Sequence, residues 1–217
     1  MTRGEETKTA ILDAAVRLMA QRGIKGVSVR KIQEEAGVNL ALAYHYFGSR
    51  DGLLKAVMIR TSQGLKEDWE RTLAHYEKPA GSGVEPETVL SDLFRPVVFL
   101  SSVDPDSATV LGQLLVSPDP KLGLMAASIF QDVFVRFGRH LRGSLPQEVL
   151  DPHFQVSLEL LTGSLIILLS RAKPKTSMAT GTCEIRGERA FLAETVDFCL
   201  AGLKSHGPMS SGFSIPA

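Results

Sequence analysis

Cysteine is almost absent: Cys183 and Cys199 are the only two in 217 residues. Two isolated thiols are too few to ligate a metal, so reduced side chains are the default, with a redox switch between them as the alternative. No uncharged apolar run reaches the roughly 18 residues that a membrane span requires, and no secretory hydrophobic segment follows Met1. A cytoplasmic chain without a membrane partner is expected. No serine or cysteine is legibly paired with a base, and no glycine-rich loop of the phosphate-cradling kind occurs. Clusters of His, Cys and acids at metal-ligand spacing are missing, and His140 and His153 stand alone as surface or helix-end groups. These absences weigh against an enzyme, a metal and an organic cofactor. Strand-like alternation does not persist anywhere, which leaves an all-α fold.

Net charge is also lacking, since 24 basic residues balance 24 acidic ones. The balance is not uniform. Residues 1 to 60 hold ten Lys or Arg against six Asp or Glu, a net +4, so the remainder carries −4. A polyanion would be drawn to the N-terminal end, although +4 over 60 residues is also compatible with an ordinary solvated surface. Hydrophobic content of 44% is usual for a globular protein, and the length allows one large or two small domains.

The most informative stretch is SVRKIQEEAGVNLALAYHYFGSR, Ser28 to Arg50. Ser28 is a good N-cap, Ile32 and Ala36 form a buried stripe at i, i+4, and Gly37 permits the turn that ends the helix. Val38 plugs the corner, and Asn39 caps a second short helix from Leu40 to Phe47. Two helices joined by a short glycine turn form a helix-turn-helix, whose second member reads the DNA major groove. Many helical proteins contain the same local pattern and bind nothing. Tyr44, His45, Tyr46, Ser49 and Arg50 favour the DNA reading, because hydroxyl, imidazole and guanidinium groups are typical phosphate donors.

The segment from Thr7 to Val57 resembles the TetR family of one-component bacterial transcriptional regulators. The resemblance is carried by Ile11-Leu12-Asp13-Ala14-Ala15, Gly23, Ser28, Ile32, Ala36-Gly37-Val38, Tyr44-His45-Tyr46-Phe47, Ser49-Arg50 and Leu53-Leu54. It implies a helix-turn-helix DNA-binding domain over residues 1–50 and a larger helical domain for effector binding and dimerisation over 51–205. It also implies base readers at Leu40, Ala41, Leu42 and Tyr44, with Ser28, Val29 and Arg30 from the preceding helix. Tyr44, His45, Tyr46 and Arg50 would hold phosphates. Two departures stand out. Ala43 occupies a place where the family usually has leucine, and Leu40 and Leu42 replace smaller or polar residues. Apolar readers touch thymine methyls but make no bidentate hydrogen bonds, so Arg30 is the expected source of hydrogen-bonded discrimination.

In chain order, residues 1–6 read as a loose arm, with Arg3 and Lys8 in reach of a groove or phosphate. A first helix follows from about Thr7 to Arg22. Ser49 caps a helix from Arg50 to Tyr76 that links the two domains. Glu77–Pro86 is a loop, and helices follow over Thr88–Ser101, which contains Pro96, from Asp104 to about Val116, and over Leu122–Leu141. The helix opened by Asp151-Pro152 is apolar on every side. Leaving Leu158, Leu161, Leu165 and Leu168 in water would forgo on the order of 10 kcal/mol. With Leu192, Val196 and Cys199 of a last helix over Glu188–Lys204, that stripe is expected to form a four-helix bundle across a two-fold axis. Complete burial within one subunit is the alternative. Residues 173–186 read as a loop and 206–217 as a disordered tail.

By the same resemblance, the middle helices enclose a small-molecule pocket whose occupation releases DNA. Trp69, Phe94, Phe99, Gln113, Met125, Phe130, Phe134 and Phe137 are its candidate lining, and a mainly apolar or aromatic effector follows. Each of these residues also reads as plain core. The expected function is therefore a homodimeric regulator, by family default a repressor, on a near-palindromic double-stranded DNA operator. A ligand-independent DNA-binding regulator and a helical enzyme are the competing readings.

Overall fold

The computed structural model describes residues 2–77, 83–145, 151–170 and 187–204. The loop expected over 173–186, with Cys183, and the tail expected over 206–217 lie outside the described residues, as does the side chain of His153. Every regular element among the described residues is helical: α1 (Arg3–Arg22), α2 (Val29–Ala36), α3 (Leu40–Phe47), α4 (Arg50–Tyr76), α5 (Pro86–Val103), α6 (Pro105–Leu115), α7 (Pro120–Ser144), α8 (Asp151–Ser170) and α9 (Gly187–Lys204). A single 3-10 turn, Ile24–Gly26, joins α1 to α2.

Local chemistry starts these helices. The hydroxyl of Ser28 accepts from the Lys31 amide, Asn39 Oδ1 from Ala41 and Ser49 Oγ from Gly52. Asp104 and Asp119 cap α6 and α7, each followed by a proline in the first turn. The N-terminus departs from expectation. The first residues are not a loose arm, because Thr2 and Glu5 form a reciprocal capping box that starts α1 at Arg3.

Ile11, Ala15, Leu18 and Met19 of α1 are buried together with Ile32, Ala43, Leu53 and Val57, which makes one unit of α1, α2, α3 and the start of α4. The same core runs on without a gap. α4 buries Leu65, Trp69, Leu73 and Tyr76 further along, where it packs on α5, α6 and α7, while α6 also touches α1.

α4 and α7 lie side by side and run parallel. Lys121 Nζ reaches Asp51 Oδ2 at 2.8 Å near their N-terminal ends. Towards the other end the Arg136 guanidinium donates to Glu70 at 2.7 Å and to both carboxylate oxygens of Glu77 at 2.9 and 3.0 Å. Tyr76 donates to Asp92 at 2.6 Å, and burial together with that carboxylate holds its phenol protonated far above the usual range.

The last two helices overturn the expected interface stripe. Leu161 and Leu165 are only 6% and 2% exposed, and Leu158 lies over α7, 3.2 Å from where a Cβ on Gly138 would be. Leu168, Leu192 and Cys199 are partly covered, Val196 is buried, and burial pushes the Cys199 thiol up. This stripe packs against its own subunit because α5, α6 and α7 already occupy that side. The other side leaves Val156, Leu160, Ile167 and Phe198 in solvent, Leu160 at 68% and Phe198 at 81%.

Candidate DNA interface

α3 is eight residues long, and the one residue it buries fully is small. Ala43 is 2% exposed and is the buried anchor of the helix. Leu40, Ala41, Leu42, Tyr44 and His45 consequently point away from the protein, with Tyr44 half exposed. Alanine at this position lets α3 sit close on the helices beneath it while offering little apolar surface of its own. Gly37 joins α2 to α3 in the left-handed region at φ 65°, where its amide closes α2, and a side chain there would be strained.

The turn from α3 into α4 rests on a glycine that sequence reasoning did not single out. A Cβ on Gly52 would lie 2.0 Å from the Phe47 carbonyl oxygen, so no other residue fits without displacing the end of α3. The signal was present as a glycine in the first turn of a helix, a place where propensity disfavours it.

The remaining candidates separate into outward and inward groups. Ser28 is exposed, but its hydroxyl already accepts from Lys31. Arg30 is exposed and its Nε donates to Glu34 at 3.0 Å, an exchangeable surface pair. Val29 is partly buried against the core, and Tyr46 turns back towards α1, its hydroxyl 3.3 Å from the Cβ position of Gly4. Arg50 faces inward. Nη1 donates to the Val27 carbonyl at 2.6 Å and Nη2 to the Ile24 carbonyl at 2.7 Å. Its guanidinium therefore fastens the 3-10 turn and the entry of α2 to α4, which corrects the expectation of a phosphate ligand. Lys8, Lys25, Lys31 and Lys55 are exposed and hold no ion pair among the described residues, whereas Arg17 and Arg60 are committed to Glu35 and Asp13.

Among the described residues, the candidate effector side chains do not line one open chamber. Trp69 is buried with its ring centroid 5.6 to 6.4 Å from those of Phe130, Phe134 and Phe137, and its indole N–H donates to the Leu93 carbonyl at 3.0 Å. These rings fill space as core does. The cavity beside Phe134 and Phe137 holds about 20 Å³, room for roughly one water. Phe94 is fully buried in the core, Gln113 and Met125 are partly covered, and Phe99 stands 54% exposed on the outside of α5. Among the described residues, the expected grouping of all eight round one pocket is thus not found.

Residues 11–57 match the family model described as bacterial regulatory proteins, tetR family. The HTH-type transcriptional regulator BetI of Brucella anthropi is 42% identical over 69 residues, 32% of this chain and 36% of that protein, so the match spans about a third of that relative's length. Two solved structures share the fold much further. The transcriptional regulator FadR from Bacillus subtilis, in complex with stearoyl-CoA, has a TM-score of 0.65 at 19% identity and covers 92% of this chain and 99% of its own. The TetR family transcriptional regulator PfmR from Thermus thermophilus has a TM-score of 0.64 at 18% identity, covering 89% and 98%. Residues 11–57 are thus similar in sequence to the bacterial regulatory proteins of the tetR family, and the chain shares the fold of these solved neighbours along nearly its whole length.

Proposed function

We propose that this protein is a homodimeric, sequence-specific DNA-binding regulator that represses from a near-palindromic operator until a small amphipathic effector releases it. The observation that carries the reading is the outward face of α3, where Leu40, Ala41, Leu42, Tyr44 and His45 stand clear of a helix anchored by buried Ala43. An eight-residue helix of about 12 Å, presented in this way, suits a major groove. Exposed Lys8, Lys25, Lys31 and Lys55 supply counter-charge for phosphates, and Tyr44 and His45 supply donors.

A second copy is needed to cover Val156, Leu160, Ile167 and Phe198, and pairing through that face sets two copies of α3 on two half-sites. A regulator of the same fold carries stearoyl-CoA, which supports an effector with a long apolar part.

Recovering bound sequences from randomised duplex DNA tests the reading. The expected product is an inverted repeat whose affinity falls steeply with salt as counterions are released. Failure to retain any duplex in dilute buffer would overturn it. Arg30→Ala should weaken the preference at one position per half-site by about 1–3 kcal/mol. Uniformly weaker binding with a shallower salt slope would make Arg30 a phosphate contact instead.

A further inference from the structure

Between its two polar ties the seam of α4 and α7 opens into a surface slot of about 810 Å³. Small-molecule sites typically occupy about 300–1,000 Å³. Ile59 and Ile129 give the slot apolar walls, and Lys66 lines it partly buried, with no carboxylate partner among the described residues. Of the other ionised groups along the slot, Glu70 and Arg71 are ion-paired and Glu67 is held by a neutral amide. Glu70 receives Arg136, Arg71 is paired with Asp68, and Glu67 accepts from Gln63 Nε2 at 3.0 Å. An ammonium without a carboxylate partner gains a charge-assisted hydrogen bond from an anion placed on it.

We propose that this slot is the effector site, and that it takes an amphipathic anion whose apolar body lies between Ile59 and Ile129 and whose carboxylate rests on Lys66 Nζ. The proposal rests on the effector-gated reading above and moves the site from the aromatic core to the surface between two helices. The position of the slot explains how occupancy reaches DNA. At one end Arg136, its side chain 18% exposed, grips Glu70 and Glu77 together. At the other, Lys121 and Asp51 form a single exposed pair, with side chains 69% and 47% accessible, and such pairs hold weakly. A body wedged between the helices therefore opens the Asp51 end. The first turn of α4 moves, and α3 moves with it because Gly52 lies directly against the Phe47 carbonyl.

The test uses the full chain with sodium decanoate and 1-decanol as probes, which share a body and differ in the head. Trp69, the only tryptophan, lies on α4 against Phe130 of α7 and reports binding by its fluorescence. Decanoate should bind about tenfold more tightly than decanol, and Lys66→Gln should erase that difference. Ser128→Phe, an exposed position on the slot wall, should abolish binding of both with the helical signal unchanged. Equal affinity for the two probes, indifference to Lys66→Gln, or undiminished binding by Ser128→Phe would each overturn the assignment. Retention of duplex DNA is measured in the same buffer. A chain that binds DNA but neither probe removes the slot proposal alone, whereas a chain that binds no DNA removes the reading it rests on.

Discussion

Leu160→Glu should leave a folded single subunit that has lost its operator. Leu160 is 68% exposed in one subunit, and Val156, Ile167 and Phe198 of the last two helices are exposed as well. Covering each large side chain with a partner stabilises by about 1.5–3 kcal/mol. A carboxylate placed among them would have to be desolvated without a counter-charge, which costs several kcal/mol more. Sedimentation of the variant should shift from dimer to monomer. DNA affinity should drop by more than about a hundredfold, since each copy then engages one half-site without the other. Leu165→Ala is the contrasting change. At 2% exposure Leu165 belongs to the subunit's own core, so its loss should cost about 2–5 kcal/mol of stability and leave the mass unchanged. A wild-type chain that sediments as one subunit, or a Leu160→Glu variant that remains dimeric, would show that this face is not the interface.

Arg50→Met should lower stability and DNA affinity together. The substitution keeps an apolar stem but leaves the Val27 and Ile24 carbonyls without their donor. An unsatisfied buried acceptor costs about 1–3 kcal/mol. Val27 is buried and Ile24 only partly buried, so water makes up the deficit mainly at Ile24 and about 2 kcal/mol in total is expected. Thermal unfolding followed by circular dichroism should move down by several degrees. Affinity for DNA should fall because α2 and the 3-10 turn lose their tie to α4, while the salt slope stays the same. The opposite pattern, with unchanged unfolding and a slope reduced by about one per half-site, would return Arg50 to the phosphate-binding group.

Different kinds of interaction decided what the sequence could disclose. The limits of α4 at Arg50 and Tyr76 follow from a serine N-cap and a long apolar periodicity, both local properties of the chain. The capping of α2 and α3 was legible for the same reason. The capping box at Thr2 and Glu5 was missed because a short polar stretch was read as an arm, although its S/T-x-x-E spacing lay in plain sight. Placing Arg50 required its partners, two carbonyls more than 20 positions earlier in the chain, and no local pattern encodes those.

The sequence by itself determined an all-helical chain, a turn between α2 and α3 made possible by Gly37, and a helix α8 too apolar to leave any side in water. Only the tertiary structure decided which sides were covered and by what. Leu161 and Leu165 face α5, α6 and α7 while Leu160 and Phe198 remain outside, because a helix that is apolar all round carries no periodicity to orient it. Trp69 and its phenylalanine neighbours could equally have walled a chamber or filled one. The distances between their rings, set by how closely α4 and α7 pack, turned them into core, while an open volume lies at the seam beside Lys66.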